Sequence, residues 1–186
     1  MTSTPPNPRG WSPLGHLGKP SGAQSARSGD LHSKALPLRW SAHIQQVMER
    51  NSLTAYPGEG CGFLLGLDGP DERRIHVALE VDNHATGEDQ LRRFSMTPKD
   101  FLQAERTAAR EGLEVLGIFH SHPDHRAVPS THDLKGALPH LSYVILAVDG
   151  SSEQPQIVET RSWQLDTERI FSEERIQHLN DSYTNN

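Results

Sequence analysis

Leu113-Glu114-Val115-Leu116-Gly117-Ile118-Phe119-His120-Ser121-His122-Pro123 is the stretch from which the rest of the chain is read. Leu113 to Phe119 has the apolar character and length of a strand. Residues two apart on a strand point to the same face. His120 and His122 follow directly, so both imidazoles leave one face at the strand's end. Pro123 and Pro129 turn the chain through a loop, and Pro129-Ser130-Thr131-His132-Asp133 opens a short helix. Ser130 is its candidate cap, with Asp133 three residues on. Two imidazoles plus one carboxylate form an open zinc set, with the fourth position left for water. Zinc lowers the pKa of that water toward ~7 and yields a hydroxide nucleophile. Such a site also needs a general base. Glu59, in a glycine-flanked turn before a core strand, is the candidate.

Outward from this stretch, a helix is expected from about Leu36 to Leu53, with Trp40, Ile44, Val47 and Met48 on one face. Cys61 to Leu67 reads as a short buried strand followed by a turn. Arg74 to Asp82 alternates, with Ile75, Val77, Leu79 and Val81 facing one way, as in a half-buried antiparallel strand. Asn83 to Gln90 is a polar loop. Thr97-Pro98-Lys99-Asp100 starts a helix that turns Phe101, Leu102, Ala104 and Ala108 inward and ends near Gly112. Leu141 to Val148 and Gln156 to Thr160 are strands joined at Asp149-Gly150-Ser151. Asp166 to Gln177 is charged, anchored by Ile170, Phe171 and Ile176. The class is α+β or mixed α/β around one sheet.

The chain has 186 residues, which suits one domain with tails. Residues 1–35 are rich in Pro, Gly and Ser and read as a disordered extension; 36–163 is the expected domain and 164–186 a C-terminal tail. The net charge of −6 speaks against a basic nucleic-acid-binding domain. No apolar run approaches the ~18–20 residues of a membrane span. A single cysteine, Cys61, forms no intrachain disulfide and suits a reducing compartment, so a cytoplasmic location is expected.

Other readings of the same residues stand beside the metal site. Ser130 and Asp133 alone are explained as a helix cap with a first-turn acid. A Ser-His-Asp nucleophile lacks the Gly-x-Ser-x-Gly elbow at Ser130, and Ser121 lies on the opposite strand face from both histidines. A closed structural zinc would need a fourth ligand, for which His125 and His132 are near. Cys61 reads as a small core residue or as a reactive thiol. Arg92-Arg93-Phe94 is either a solvated strand edge or, with Asn83, part of a groove for an extended peptide.

The pattern His120-Ser121-His122, seven residues, Ser130, two residues, Asp133, with Glu59 upstream, resembles the JAMM (MPN-plus) zinc metalloproteases. Pro57-Gly58-Glu59-Gly60-Cys61-Gly62-Phe63-Leu64-Leu65-Gly66 looks like the family's Glu-bearing loop and strand. Gly117 to Asp124 and Ala127 to Ser130 look like its small bacterial stand-alone members. The resemblance covers about Leu36 to Trp163. It implies a cytidine-deaminase-like α-β-α sandwich with a mixed, partly curled sheet flanked by helices. It implies one zinc ion on His120, His122 and Asp133, with Glu59 as proton carrier and Ser130 as oxyanion donor. Asn83, Arg93 and Phe94 would hold a substrate tail. The implied partner is a ubiquitin-like sulfur-carrier protein with a Gly-Gly C-terminus, from which cysteine or a similar amino acid is released. An isopeptidase of the desampylase kind, a precursor-processing peptidase and a non-catalytic MPN module are the alternatives.

Overall fold

In the computed structural model, which describes residues 36–179, the expected strand ending at Val148 is a central one, buried from Ser142 to Val148. The expected extension at 1–35 falls outside the described residues. The elements are β1 (Leu38–Ser41), α1 (Ala42–Ala55), β2 (Cys61–Asp68), β3 (Arg73–Val81), α2 (Pro98–Arg110), β4 (Glu114–Pro123), α3 (Thr131–Gly136), β5 (Ser142–Asp149), β6 (Gln156–Leu165), β7 (Phe171–Glu174) and β8 (Ile176–Leu179). The strands form one mixed sheet in the order β7-β6-β5-β4-β2-β3-β1-β8. β4 runs parallel to β5, and β1 runs parallel to both β3 and β8; the remaining pairs are antiparallel.

Alternation along the central strands sorts side chains to two faces. Leu64, Phe119, Val144 and Leu146 pack with Trp40, Ile44 and Met48, the last two from α1. Phe63, Leu65, Ile118 and Tyr143 pack with Ala104 and Ala108 of α2. The molecule is thus a mixed α/β structure with a helix on each face of the sheet. α2 starts where the sequence placed it. Thr97 and Asp100 form a reciprocal capping box, and Pro98 occupies the first helical position. It ends at Gly112, whose φ of 68° closes the last turn, with the Leu113 N–H donating to the Ala108 carbonyl at 2.8 Å.

Four expectations are corrected. Residues 38–41 are a strand, not the first turn of a helix. Their partners are β3 and β8, and Ser41 then caps α1 by accepting from the Ile44 amide. Ile75 does not share a face with Val77, Leu79 and Val81. The register slips between Leu65 and Gly66, an irregularity that leaves His76 without an opposite residue and turns Ile75 toward the α1 side. Leu102 is 43% exposed rather than inward. The sheet also runs past 163: β6 continues to Leu165, and the charged stretch beyond it carries β7 and β8.

β7 and β8 lie at opposite ends of the strand order, yet Arg175 alone separates them. Two residue steps span at most ~7 Å, so the two edges approach each other at this corner and the sheet curls. Arg73 fills that corner. Its guanidinium donates to Ser142 Oγ at 2.7 Å, Glu174 at 3.1 Å, the Leu116 carbonyl at 3.0 Å and the His140 carbonyl at 3.2 Å. Ser162 donates to the other oxygen of Glu174. Arg73 and Glu174 are both buried, so removing either leaves an uncompensated charge. Arg73→Leu is expected to cost about 3 kcal/mol or more of unfolding free energy. Urea denaturation followed by circular dichroism checks this, and a loss under about 1 kcal/mol would contradict the corner's structural role.

Candidate metal centre

β4 continues as a strand through its two histidines. In register, Cys61 lies opposite His120 on one side, while Ile145 and Ala147 lie opposite His120 and His122 on the other. His120 is fully buried and His122 nearly so. The 124–129 loop folds back over the Ile145–Ala147 side. Ala127 packs there, its amide donating to Glu159 and its carbonyl accepting from the Trp163 indole. His122 Nδ1 lies 2.9 Å from the Arg126 carbonyl. A carbonyl only accepts, so that nitrogen carries the proton, and Nε2 is the atom that presents a lone pair when the ring is neutral.

The two Nε2 atoms lie 3.1 Å apart. Asp133 places one carboxylate oxygen 3.4 Å from His120 Nε2 and the other 3.5 Å from His122 Nε2. The three side chains bring their ligand atoms within 4.8 Å of one another. With bonds of ~2.0–2.1 Å, tetrahedral zinc holds its ligand atoms ~3.3 Å apart. The donor set and its spacing therefore fit a zinc-sized ion. A buried atom without a partner points the same way: Glu59 Oε2 has none.

Asp133 reaches this position because α3 starts beside it. Ser130 Oγ accepts from the His132 and Asp133 amides at 3.2 and 3.1 Å, and Asp133 accepts from the Ser130 amide at 2.6 Å. The cap reading and the metal reading are thus two uses of one arrangement. Both Ser130 lone pairs are engaged, which leaves its O–H free to donate. Burial raises the Asp133 carboxyl, but the neighbouring imidazoles and the Ser130 amide outweigh it and hold the group well below the usual carboxylate range. Glu59 shifts the other way. Burial raises it, only partly offset by His120 and His122. Two carboxyls in one pocket are thus driven apart in acidity, as acid–base pairs are.

A family model for prokaryotic homologs of the JAB domain matches residues 41–166. The chain belongs to that family. Among curated relatives, a probable TtuB-protein conjugate cleaving protease of Thermus thermophilus is 34% identical over 94 residues, 50% of this chain and 59% of the relative. A desampylase of Pyrococcus furiosus is 34% identical over 101 residues, 54% of this chain and 64% of that protein. The matched stretch thus spans about three fifths of these relatives. A solution structure from Desulfitobacterium hafniense aligns with a TM-score of 0.64 and 27% identity, covering 76% of this chain and 92% of that one. One from Salinibacter ruber aligns with a TM-score of 0.57 and 32% identity, covering 77% and 93%.

Within this JAB domain the remaining candidates separate. Phe94 lies against the centre, its ring centroid 4.6 Å from that of His120. Phe94 and Arg93 line a groove of about 430 Å³ that runs from Asp133 over Met96, Phe101, Ile118 and Tyr143. Lys135 and Arg92 also line it, while Arg93 pairs with Asp89 at 3.1 Å. Asn83 is not among the groove's lining residues. It hydrogen-bonds instead to the carbonyls of Glu59 and Arg93 and the amides of Ala85 and Ser95. Sequence reasoning left Ser121 without a role beyond facing away from the histidines. Its hydroxyl accepts from the Gly60 amide at 2.9 Å. His125 and His132 are both exposed and absent from the cluster.

Cys61 is fully buried, and burial together with Glu59 pushes its thiol up to about 12. The folded protein is expected to resist iodoacetamide at pH 8 and to react once denatured. Intact-mass spectrometry decides it: rapid alkylation of the folded chain would mean that the thiol is accessible.

Proposed function

We propose that the chain is a zinc-dependent hydrolase of the amide bond formed at the C-terminal glycine of a ubiquitin-like protein. The convergence of His120, His122 and Asp133 beside a buried, partnerless Glu59 oxygen carries this reading. A zinc ion held by the three side chains would supply a Lewis acid and an acidified water. Glu59, whose carboxyl burial raises above its ordinary value, accepts a proton and returns it to the leaving amine. The free hydroxyl hydrogen of Ser130 supports the developing oxyanion. The groove along Arg93 and Phe94 suits an extended tail lying beside 93–95 as an added strand. A Gly-Gly terminus would bring its last carbonyl to the centre with no side chain in the way.

The relatives favour lysine-linked conjugates as the substrate, since they are described as conjugate-cleaving or desampylating. Release of cysteine from a sulfur-carrier protein is the second reading. It rests on the same residues and asks for a smaller leaving group. A cytoplasmic setting fits both, given the single free thiol. No helix among the described residues is long and apolar enough to cross a membrane.

The test uses a ubiquitin-like protein of the source organism in two forms, lysine-linked to a carrier protein and extended by one C-terminal cysteine. Mass spectrometry reads the product. Zinc-loaded wild type is expected to free the mature Gly-Gly terminus from the conjugate, and chelation to stop it until zinc is restored. Glu59→Gln should lower the rate by about a hundredfold or more. Cleavage of the cysteine form alone would move the assignment to the second reading. Cleavage of neither form would leave a non-catalytic module.

A further inference from the structure

Glu59 sits in a short turn rather than in a regular element, yet its carboxylate must be held within a few tenths of an ångström to serve as a proton carrier. Two contacts hold that turn. On the histidine side, Ser121 grips Gly60 twice: the Gly60 amide donates to Ser121 Oγ at 2.9 Å, and the Ser121 amide donates to the Gly60 carbonyl at 3.0 Å. On the groove side, Asn83 Nδ2 donates to the Glu59 carbonyl at 3.0 Å.

Asn83 does more than hold Glu59. Its second N–H donates to the Arg93 carbonyl at 3.0 Å, and its oxygen accepts from the Ala85 amide at 2.9 Å and the Ser95 amide at 3.0 Å. A side-chain amide has two donors and two acceptor sites, so all four are spent inside the chain. None remains for a peptide in the groove. The bonds to Arg93 and Ser95 bracket Phe94, whose ring lies against His120 and whose amide favours the charged form of Glu59. One side chain therefore joins the turn that carries the carboxylate to the wall along which a substrate would lie.

We infer that Asn83 is a positioning residue that acts through Glu59, fixing the carboxylate relative to the 93–95 wall of the groove. The inference deepens the hydrolase reading and rests on it for its kinetic consequences. It replaces the expected direct contact of Asn83 with substrate. Ser121 completes the clamp from the strand of the histidines.

Asn83→Asp is the discriminating variant. It keeps the oxygen that accepts from Ala85 and Ser95, and it loses both donors, to Glu59 and to Arg93. With the lysine-linked conjugate, kcat is expected to fall about tenfold or more, with KM changed less than about threefold and one zinc still bound per chain. In the Glu59→Gln background the same substitution should change the residual rate less than about twofold, because the residue it acts through is already gone. Amide hydrogen exchange at 59–61 and 93–95 should rise together, with the central strands unchanged. Ser121→Ala removes the hydroxyl bond of the other anchor, keeps its backbone bond, and leaves the Asn83 bonds whole. It is read in the same way if the Asp variant folds poorly. Equal rate losses with and without Glu59, a change confined to KM, or exchange that stays at the wild-type level in both segments would overturn the inference. Absence of cleavage by wild type would sink the hydrolase reading alone, since the exchange measurement still judges the clamp.

Discussion

The antiparallel pairing of β2 with β4 is the constraint from which the site follows. It sets Cys61 opposite His120, and the Gly60–Ser121 contact just beyond it carries the turn bearing Glu59 up to the histidines. Without that pairing the carboxylate and the imidazoles, about sixty residues apart in the chain, would have no common frame. β5 then supports β4 from the other side in parallel, and α3, which bridges the two strands, delivers Ser130 and Asp133. His120, His122 and Asp133 therefore lie on elements whose places are set by backbone hydrogen bonding, and Glu59 lies in the turn just before β2. Loops supply only the short spans between.

The centre gathers groups that burial penalises: two nearly dry imidazoles, a carboxyl that burial makes a weaker acid, and a second carboxyl that its neighbours make a stronger one. Such a cluster costs stability that must come from elsewhere in the fold. The opposite end of the sheet stands in contrast. There Arg73 and Glu174 are also buried, but every contact is satisfied except Arg73 Nε, whose nearest acid, Asp68, lies 3.8 Å away. One end of the sheet is polar, with all but one of the Arg73 and Glu174 polar atoms paired. The other is polar and short of partners, and the site lies there.

Much of this was legible from residue order alone. A two-residue spacing on a strand puts His120 and His122 on one face, and a three-residue spacing in a helix cap ties Asp133 to Ser130; joining the two groups in one site rested on the resemblance to a family. The α2 start was legible for the same reason. What escaped was set by distant partners. Trp40 fits a helical face with Ile44 and Met48 equally well as a strand residue, and the strand wins because β3 and β8 flank it. His76 gives no sign that it is an extra residue until β2 is laid beside it. β7 and β8 are four residues each, too short and too charged for a period to emerge. Asn83 was conspicuous as a polar residue after a strand, but its partners at Glu59, Arg93 and Ser95 belong to three separate segments.

The one-residue hop at Arg175 has a consequence for how the molecule comes into being. β1, the first strand described, is flanked by β8, the last, some 138 residues later. Pairings of such long sequence separation are slow to form because the intervening chain must first be ordered. A nascent chain leaving the ribosome can assemble β2 to β6 as it emerges. It cannot seal the β1 edge until residue 179 is free of the exit tunnel. Until then the side of β1 that β8 covers offers an open row of hydrogen-bonding groups.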